Sequence, residues 1–245
     1  MPIAAPDLPQ TQAVIIEMIN AFRAENQLGA VAPNPQLQMA ATAFANYLAK
    51  SGEFAHTADG HQPSERATAA GYQYCIVVEN LAMHKSNRGF ETSDLAYQAV
   101  NGWKNSPAHR ANMLMTHVTE TGIGIAKADG GDPKFVTVQL FGRPNSFKYK
   151  IGIENLSGTT ITYTLGDQKN TIAHSMLVTH TDCVPMELSF AIGKVTSKFE
   201  AHDGETFVLS RGGDGKPRVS LDIATVPTAP AWTTFVSAKT VKPAR

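Results

Sequence analysis

A change of periodicity near the middle of the chain constrains its fold more than any other feature. Before Gly142, apolar residues recur at helical spacing in several long stripes. After Gly142-Arg143-Pro144-Asn145-Ser146 they alternate with period two, and no helical stripe of any length appears. At 245 residues the chain has enough material for two cores. The reading is therefore two domains, 1–145 and 146–245.

In the first half, Val14, Ile15, Met18, Ile19 and Phe22 predict a helix over 11–27, with Gly29 as its stop. Asn20 and Arg23 share one face of it and either anchor neighbouring backbone or remain solvated. Leu37, Ala40, Ala41, Phe44, Ala45 and Leu48 form a second stripe closing at Gly52, and these residues are core. An Asp59-Gly60 turn follows, then a short helix from Pro63 that ends at Ala70-Gly71-Tyr72. Thr92-Ser93-Asp94 caps a helix whose inner face is Ala96, Ala99, Val100 and Trp103. Gly122–Ala126 and Phe135–Phe141 are strand-like, with a turn at Gly130-Gly131-Asp132. These elements predict an α+β domain, helices on a small antiparallel sheet in a three-layer α/β/α sandwich.

In the second half, Tyr149–Ile153, Thr160–Thr164, Phe207–Leu209 and Arg218–Ile223 are strand-like. Leu165-Gly166-Asp167, His202-Asp203-Gly204 and Gly213-Asp214-Gly215 are hairpin turn signals. They predict a small all-β sandwich of no recognised family, with an extended tail from Thr225 and an edge strand near Trp232–Val236. His174, His180, Asp182, Cys183 and His202 match no ligand spacing and are expected to be ordinary sandwich residues.

Charge narrows the partners. With 21 basic and 21 acidic residues, the usual electrostatic case for nucleic acid or an anionic membrane is missing. No apolar run approaches the roughly 20 residues that span a bilayer. The start, Met1-Pro2-Ile3-Ala4-Ala5-Pro6-Asp7, lacks a basic and an apolar leader region, which fits an intracellular protein or the processed form of an exported one. Two cysteines, Cys75 and Cys183, are too few for a disulfide framework. Buried free thiols are expected, with one inter-domain bridge as the alternative. Cys75, beside Ile76-Val77-Val78, reads as inert rather than nucleophilic.

Two stretches carry chemistry. Ser106-Pro107 reads as N-cap and first helical residue, which puts His109 in a first turn where the helix dipole disfavours its cation. The neutral imidazole that results binds a metal or takes a proton. Glu79 follows an apolar pair, where a lone carboxylate is costly unless paired or liganded.

Phe54-x-His56, Ser64-Glu65-Arg66, Gly71-Tyr72, Glu79-Asn80-Leu81-Ala82, Trp103-x-Asn105-Ser106-Pro107-x-His109-Arg110-x-Asn112-Met113-Leu114, Gly122-x-Gly124 and Gln139-Leu140-Phe141-Gly142 occur in that order. Over residues 11–143 this series resembles the CAP superfamily of cysteine-rich secretory, antigen 5 and plant pathogenesis-related proteins, nearest its short bacterial branch. The resemblance implies a cleft of two histidines and two acids, which fall on His56, His109, Glu65 and Glu79.

The two imidazoles can bind zinc or another divalent cation, with water in the open positions. Glu65 and Glu79 then orient those waters or hold imidazole N–H groups, and Asn80 and Ser106 support the cleft. The alternative is a buried polar network that only fixes the cleft. His61, His84 and His117 lie off the motif and are expected at the surface. The resemblance makes an exported bacterial protein the leading reading, extracellular or periplasmic with its signal peptide removed. Its cleft binds a metal or a small ligand without catalysis, a lipid being one such ligand. The β domain offers a surface for a protein or cell-envelope partner. The alternative is a metal-dependent hydrolase in which Glu65 and Glu79 act, although no His-Glu-x-x-His helix or Gly-x-Ser-x-Gly elbow is present.

Overall fold

The computed structural model describes residues 4–193 and 195–223, with the backbone alone for Asp222 and Ile223. The chain divides into two compact units, 1–148 and 149–245. The first contains α1 (Leu8–Glu25), α2 (Pro35–Ser51), α3 (Pro63–Ala69), α4 (Thr92–Asn105) and α5 (Pro107–Met113). Its sheet has the order β1-β3-β4-β2, from β1 (Ala32–Pro33), β2 (Tyr74–Lys85), β3 (Glu120–Ala128) and β4 (Lys134–Pro144). β4 runs antiparallel to both β3 and β2, and β1 pairs parallel with β3.

Strand alternation sorts the sheet's side chains into two layers. Phe135 and Phe141 of β4 join Ile15, Ile19 and Phe22 of α1 and Leu95, Ala99 and Trp103 of α4. Val136, Val138 and Leu140 join Leu37, Ala41, Phe44 and Leu48 of α2. The three-layer α/β/α arrangement is the predicted one. α2 lies directly on β3, and Gly122-x-Gly124 permits it. A Cβ on Gly122 would stand 2.2 Å from the backbone nitrogen of Gln38, and one on Gly124 2.2 Å from the backbone carbonyl of Ala41.

Local departures from expectation have local causes. α1 begins three residues early because Asp7 Oδ1 accepts the Gln10 N–H at 3.0 Å, capping a turn that tolerates Pro9. The residue capping α4 is Glu91, without a side-chain bond, and the Thr92 hydroxyl instead accepts the Asp7 N–H at 3.0 Å. His84 is half-buried rather than at the surface, edge-on to Phe90 at 6.5 Å, and burial lowers its proton affinity. Neither cysteine is a free thiol: Cys75 and Cys183 are both disulfide-bonded. Cys75 is the residue that the β2–β4 register skips between Tyr74 and Ile76, so a bulge takes it out of the apolar alternation around it.

Among its described residues the second unit contains eight strands. One sheet has the order β10-β9-β6-β7, with β6 Ile161–Leu165, β7 Gln168–Ile172, β9 Met186–Ile192 and β10 Val195–Ala201. The other has the order β12-β11-β5-β8, with β5 Tyr149–Asn155, β8 Met176–Asp182, β11 Glu205–Arg211 and β12 Pro217–Ile223. Ile151, Ile153, Phe207 and Leu209 of one sheet share a core with Tyr163, Leu165, Leu188 and Phe190 of the other, the packing of a β-sandwich. Four of these strands, β7 to β10, were not anticipated. β7, β8 and β10 bury few side chains, and apart from Val178 their partly covered residues are polar or aromatic. The edge strand expected near Trp232–Val236 lies outside the described residues.

A Gly124→Ala substitution is expected to lower stability by about 3 kcal/mol or more, because its methyl meets helix backbone that cannot rotate away. Urea unfolding of the two proteins checks this; an unchanged midpoint would mean that α2 does not sit on β3 this closely.

Candidate functional site

β2 is an edge strand, and its alternation sends Val77, Leu81 and Met83 to the α2–α3 layer and Ile76, Val78 and Ala82 to the α1–α4 layer. Glu79 therefore faces α3 and Asn80 faces the opposite layer. The Glu79 side chain is 1% exposed. One oxygen lies 2.8 Å from His56 Nδ1, and the other accepts Arg66 Nη2 at 2.8 Å. Burial pushes the Glu79 carboxyl above the usual carboxylate range, against the opposing pull of the His56 hydrogen bond and the Arg66 guanidinium. The His56 side chain is 51% exposed. With Nδ1 turned inward to Glu79, its Nε2 is the nitrogen left for a ligand.

Arg66 is the centre of this corner. From the middle of α3 it donates to Asp59 Oδ1 and the His61 carbonyl at 2.8 Å, and to the His56 carbonyl at 3.0 Å. Its guanidinium carbon lies 3.5 Å from the centroid of the Phe44 ring. One buried cation thus holds the loop that carries His56, the carboxylate that orients it and the helix beneath. Arg66 and Asp59 were not among the expected site residues. Arg66 stands inside a quoted motif, but nothing local in the sequence says that its side chain turns inward.

His109 is the third residue of α5, whose Ser106 cap makes no side-chain hydrogen bond. Its proton affinity is lowered first by burial and then by the charge of His56, so the two imidazoles lie within electrostatic reach of each other. A polar relay sets the helix in place. Asn80, fully buried, donates to the His109 carbonyl at 3.3 Å and to Gln139 Oε1 at 3.2 Å. Asn112 donates to the Glu79 carbonyl at 3.0 Å and to Asn80 Oδ1 at 2.9 Å. Trp103 Nε1 donates to the Leu81 carbonyl at 3.0 Å. On the far side Arg23, 1% exposed, donates to the carbonyls of Met113 at 2.8 Å and Met115 at 3.0 Å at the end of α5.

The structure brings His56 and Glu79 into direct contact and His109 near them, with Asn80 behind. It places Glu65 differently. The Glu65 carboxylate accepts the Gln62 N–H at 2.6 Å and lies 4.0 Å from His61 Nδ1, with its side chain 60% exposed. Its position in the first turn of α3 explains this, since a carboxylate there satisfies a free helix N–H. Among the described residues no group of three or more His, Cys, Asp or Glu side chains is placed to hold a metal ion. A closed structural zinc site with four protein ligands is therefore not formed among the described residues.

Two outcomes are expected of this corner. Arg66→Met leaves the Glu79 carboxyl buried without its cation and should cost about 3–5 kcal/mol in chemical unfolding. In an NMR titration His109 should have a midpoint below its ordinary 6.5, moving toward it in His56→Ala as one of its two causes is removed. Because that midpoint is depressed in the folded state, His109's contribution to stability is present above pH 6.5 and is lost as pH falls through the folded midpoint. A midpoint unmoved by His56→Ala would break the coupling between the two imidazoles.

A family model described as the cysteine-rich secretory protein family, CAP, matches residues 16–141. Among solved structures, an outer surface protein of Borrelia burgdorferi is 24% identical, covering 54% of this chain and 92% of its own, with a TM-score of 0.46. An extracellular SCP-domain protein of Bacillus anthracis is also 24% identical, with a TM-score of 0.45, and the match spans 54% of this chain but 40% of that one. A cysteine-rich secretory protein of Staphylococcus aureus is 18% identical over 55% of this chain and 39% of its own, with a TM-score of 0.38. No curated protein matches the chain. The family match covers about half of the residues and most of the first unit, and on it the chain belongs to the cysteine-rich secretory protein (CAP) family.

Proposed function

We propose that this is an exported CAP protein whose cleft at His56 and His109 binds a divalent metal ion or a small ligand, and that binding rather than turnover is its work. The observation that carries this reading is the half-exposed His56 imidazole, oriented from behind by a buried Glu79 that is itself paired with a buried Arg66. Burying a carboxylate and a guanidinium is costly, and apolar side chains would close the same corner more cheaply. Carboxylate support of this kind raises the basicity of a ligating imidazole and fixes the nitrogen that it presents.

His109 adds a second imidazole whose neutral form is favoured by burial. Glu79 holds His56 and the Asn80–Asn112 relay holds the backbone of His109; a bound ion would take its remaining ligands from water. A bound ion would supply a positive centre for an anionic group of a ligand. Export is supported by the two disulfide-bonded cysteines, since such bonds persist in oxidising compartments. No helix among the described residues is long and apolar enough to cross a membrane.

Zinc titration by calorimetry tests the reading on the intact protein and on His56→Ala/His109→Ala. Saturable binding at micromolar or lower concentration is expected, lost in the double variant and weakened about 10- to 100-fold in Glu79→Gln. Affinity should fall as pH drops through the range where protons compete for the imidazoles. Equal binding by the intact protein and the double variant would overturn the proposal. Metal-dependent turnover that vanishes in His109→Ala would make the protein a hydrolase instead.

A further inference from the structure

The second unit has a cleft of its own. Its volume is about 470 Å³, within the rough 300–1,000 Å³ of small-ligand sites, and it opens at one end of the sandwich. The floor is apolar, formed by Ile151 of β5, Leu165 of β6, Val184 and Met186. The rim is polar, with Asp167 from the β6–β7 turn, Gln168 from the start of β7, and His180 and Asp182 from β8. We propose that this cleft binds an aliphatic amine, its ammonium group on the two carboxylates and its methylene chain on the apolar floor. The amine is either a free diamine or the side chain of a lysine on a partner protein.

Three observations carry the proposal. The first is that the polar wall is supported from inside the sandwich. His180 Nε2 lies 2.7 Å from the Tyr163 hydroxyl, and Tyr163 is 2% exposed among Phe190, Leu188 and Ile153. A buried hydroxyl needs a partner, and here that partner is an imidazole lining the cleft. Burial lowers the proton affinity of His180, which disfavours a competing positive charge on this wall.

The second observation is that the carboxylates are held outside the core. Asp182 Oδ1 accepts the N–H of Cys183 at 2.6 Å and of Val184 at 3.3 Å, which orients the group and leaves Oδ2 for a ligand. Asp167 stands at the tip of the two-residue Gly166-Asp167 loop, whose Gly166 has φ 56°, the positive value that such a tight turn needs.

The third is charge. The described lining residues include two aspartates and no lysine or arginine. A cation with an apolar stem matches both surfaces, whereas a neutral ligand leaves the carboxylates unanswered.

The test is an NMR titration of the full chain with cadaverine, read at the methyl groups of Ile151, Leu165, Val184 and Met186. Saturable shifts are expected, weakened about tenfold or more in Asp167→Asn/Asp182→Asn, the scale of one lost close ion pair. Asparagine keeps an oxygen for the Cys183 and Val184 N–H groups, so the variant should melt at the wild-type temperature. The shifts should persist in His56→Ala/His109→Ala, which separates this site from the cleft of the first unit. Tighter binding of Nα-acetyl-lysine amide than of cadaverine would assign the amine to a protein side chain, and the reverse order to a free diamine. Absent shifts, undiminished binding in the aspartate variant, or equal binding of the neutral pentanediol would overturn the proposal.

Discussion

The corner that presents His56 depends on a single buried cation. Arg66 lies between Glu79 on the sheet, Asp59 and two carbonyls of the loop, and the Phe44 ring of α2. Each contact answers part of the cost of removing a guanidinium from water. In return the loop from 56 to 61, which has no secondary structure of its own beyond turns, gains a defined path over the sheet. Such a pair is weak evidence for net stability. It is better explained as a device that fixes geometry, and what it fixes is an imidazole with one nitrogen facing inward and one outward.

The other histidine is placed by an independent mechanism. α5 has only seven residues and would not hold its position on propensity alone. It is held from both sides: Arg23 gathers carbonyls at its C-terminal end, while Asn80 and Asn112 tie its body to β2. Arg23 carries out here one of the two roles open to it from sequence, as an anchor of neighbouring backbone. Asn20 does the same by exchanging two hydrogen bonds with the backbone of Val31. Arg66, Glu79, Asn80 and Arg23 are thus buried polar groups that serve to place the two histidines, while α2 packs on the sheet mainly by apolar contact and by the bare backbone of Gly122 and Gly124.

Much of this was legible in the sequence. The stripes of α1, α2 and α4 face the core as their spacing requires, and the ordered motifs led to the family that the chain belongs to. A carboxylate after Val77-Val78 signalled a paired, buried Glu79, and its partners proved to be His56 and Arg66. Other features were hidden for physical reasons. Glu65 was grouped with Glu79 by its motif, yet helix-end hydrogen bonding claims its carboxylate. Cys75 sat in an apolar run that suggested burial, and a bulge removed it from that pattern. In the sandwich, strands that bury only small parts of their surface offered little apolar alternation to detect.

What the sequence determined by itself was therefore local and periodic: the helices, the central strands, the change to an all-β second half and the order of the motifs. These follow from spacing along the chain, which hydrophobic burial converts directly into faces. Tertiary structure decided what no spacing contains. It chose which carboxylate meets which imidazole, turned Arg66 inward beneath His56, bonded Tyr163 to His180, and opened a cleft at the end of the sandwich. Those outcomes depend on atoms brought within about 3 Å from distant parts of the chain, where desolvation makes each pairing all or nothing.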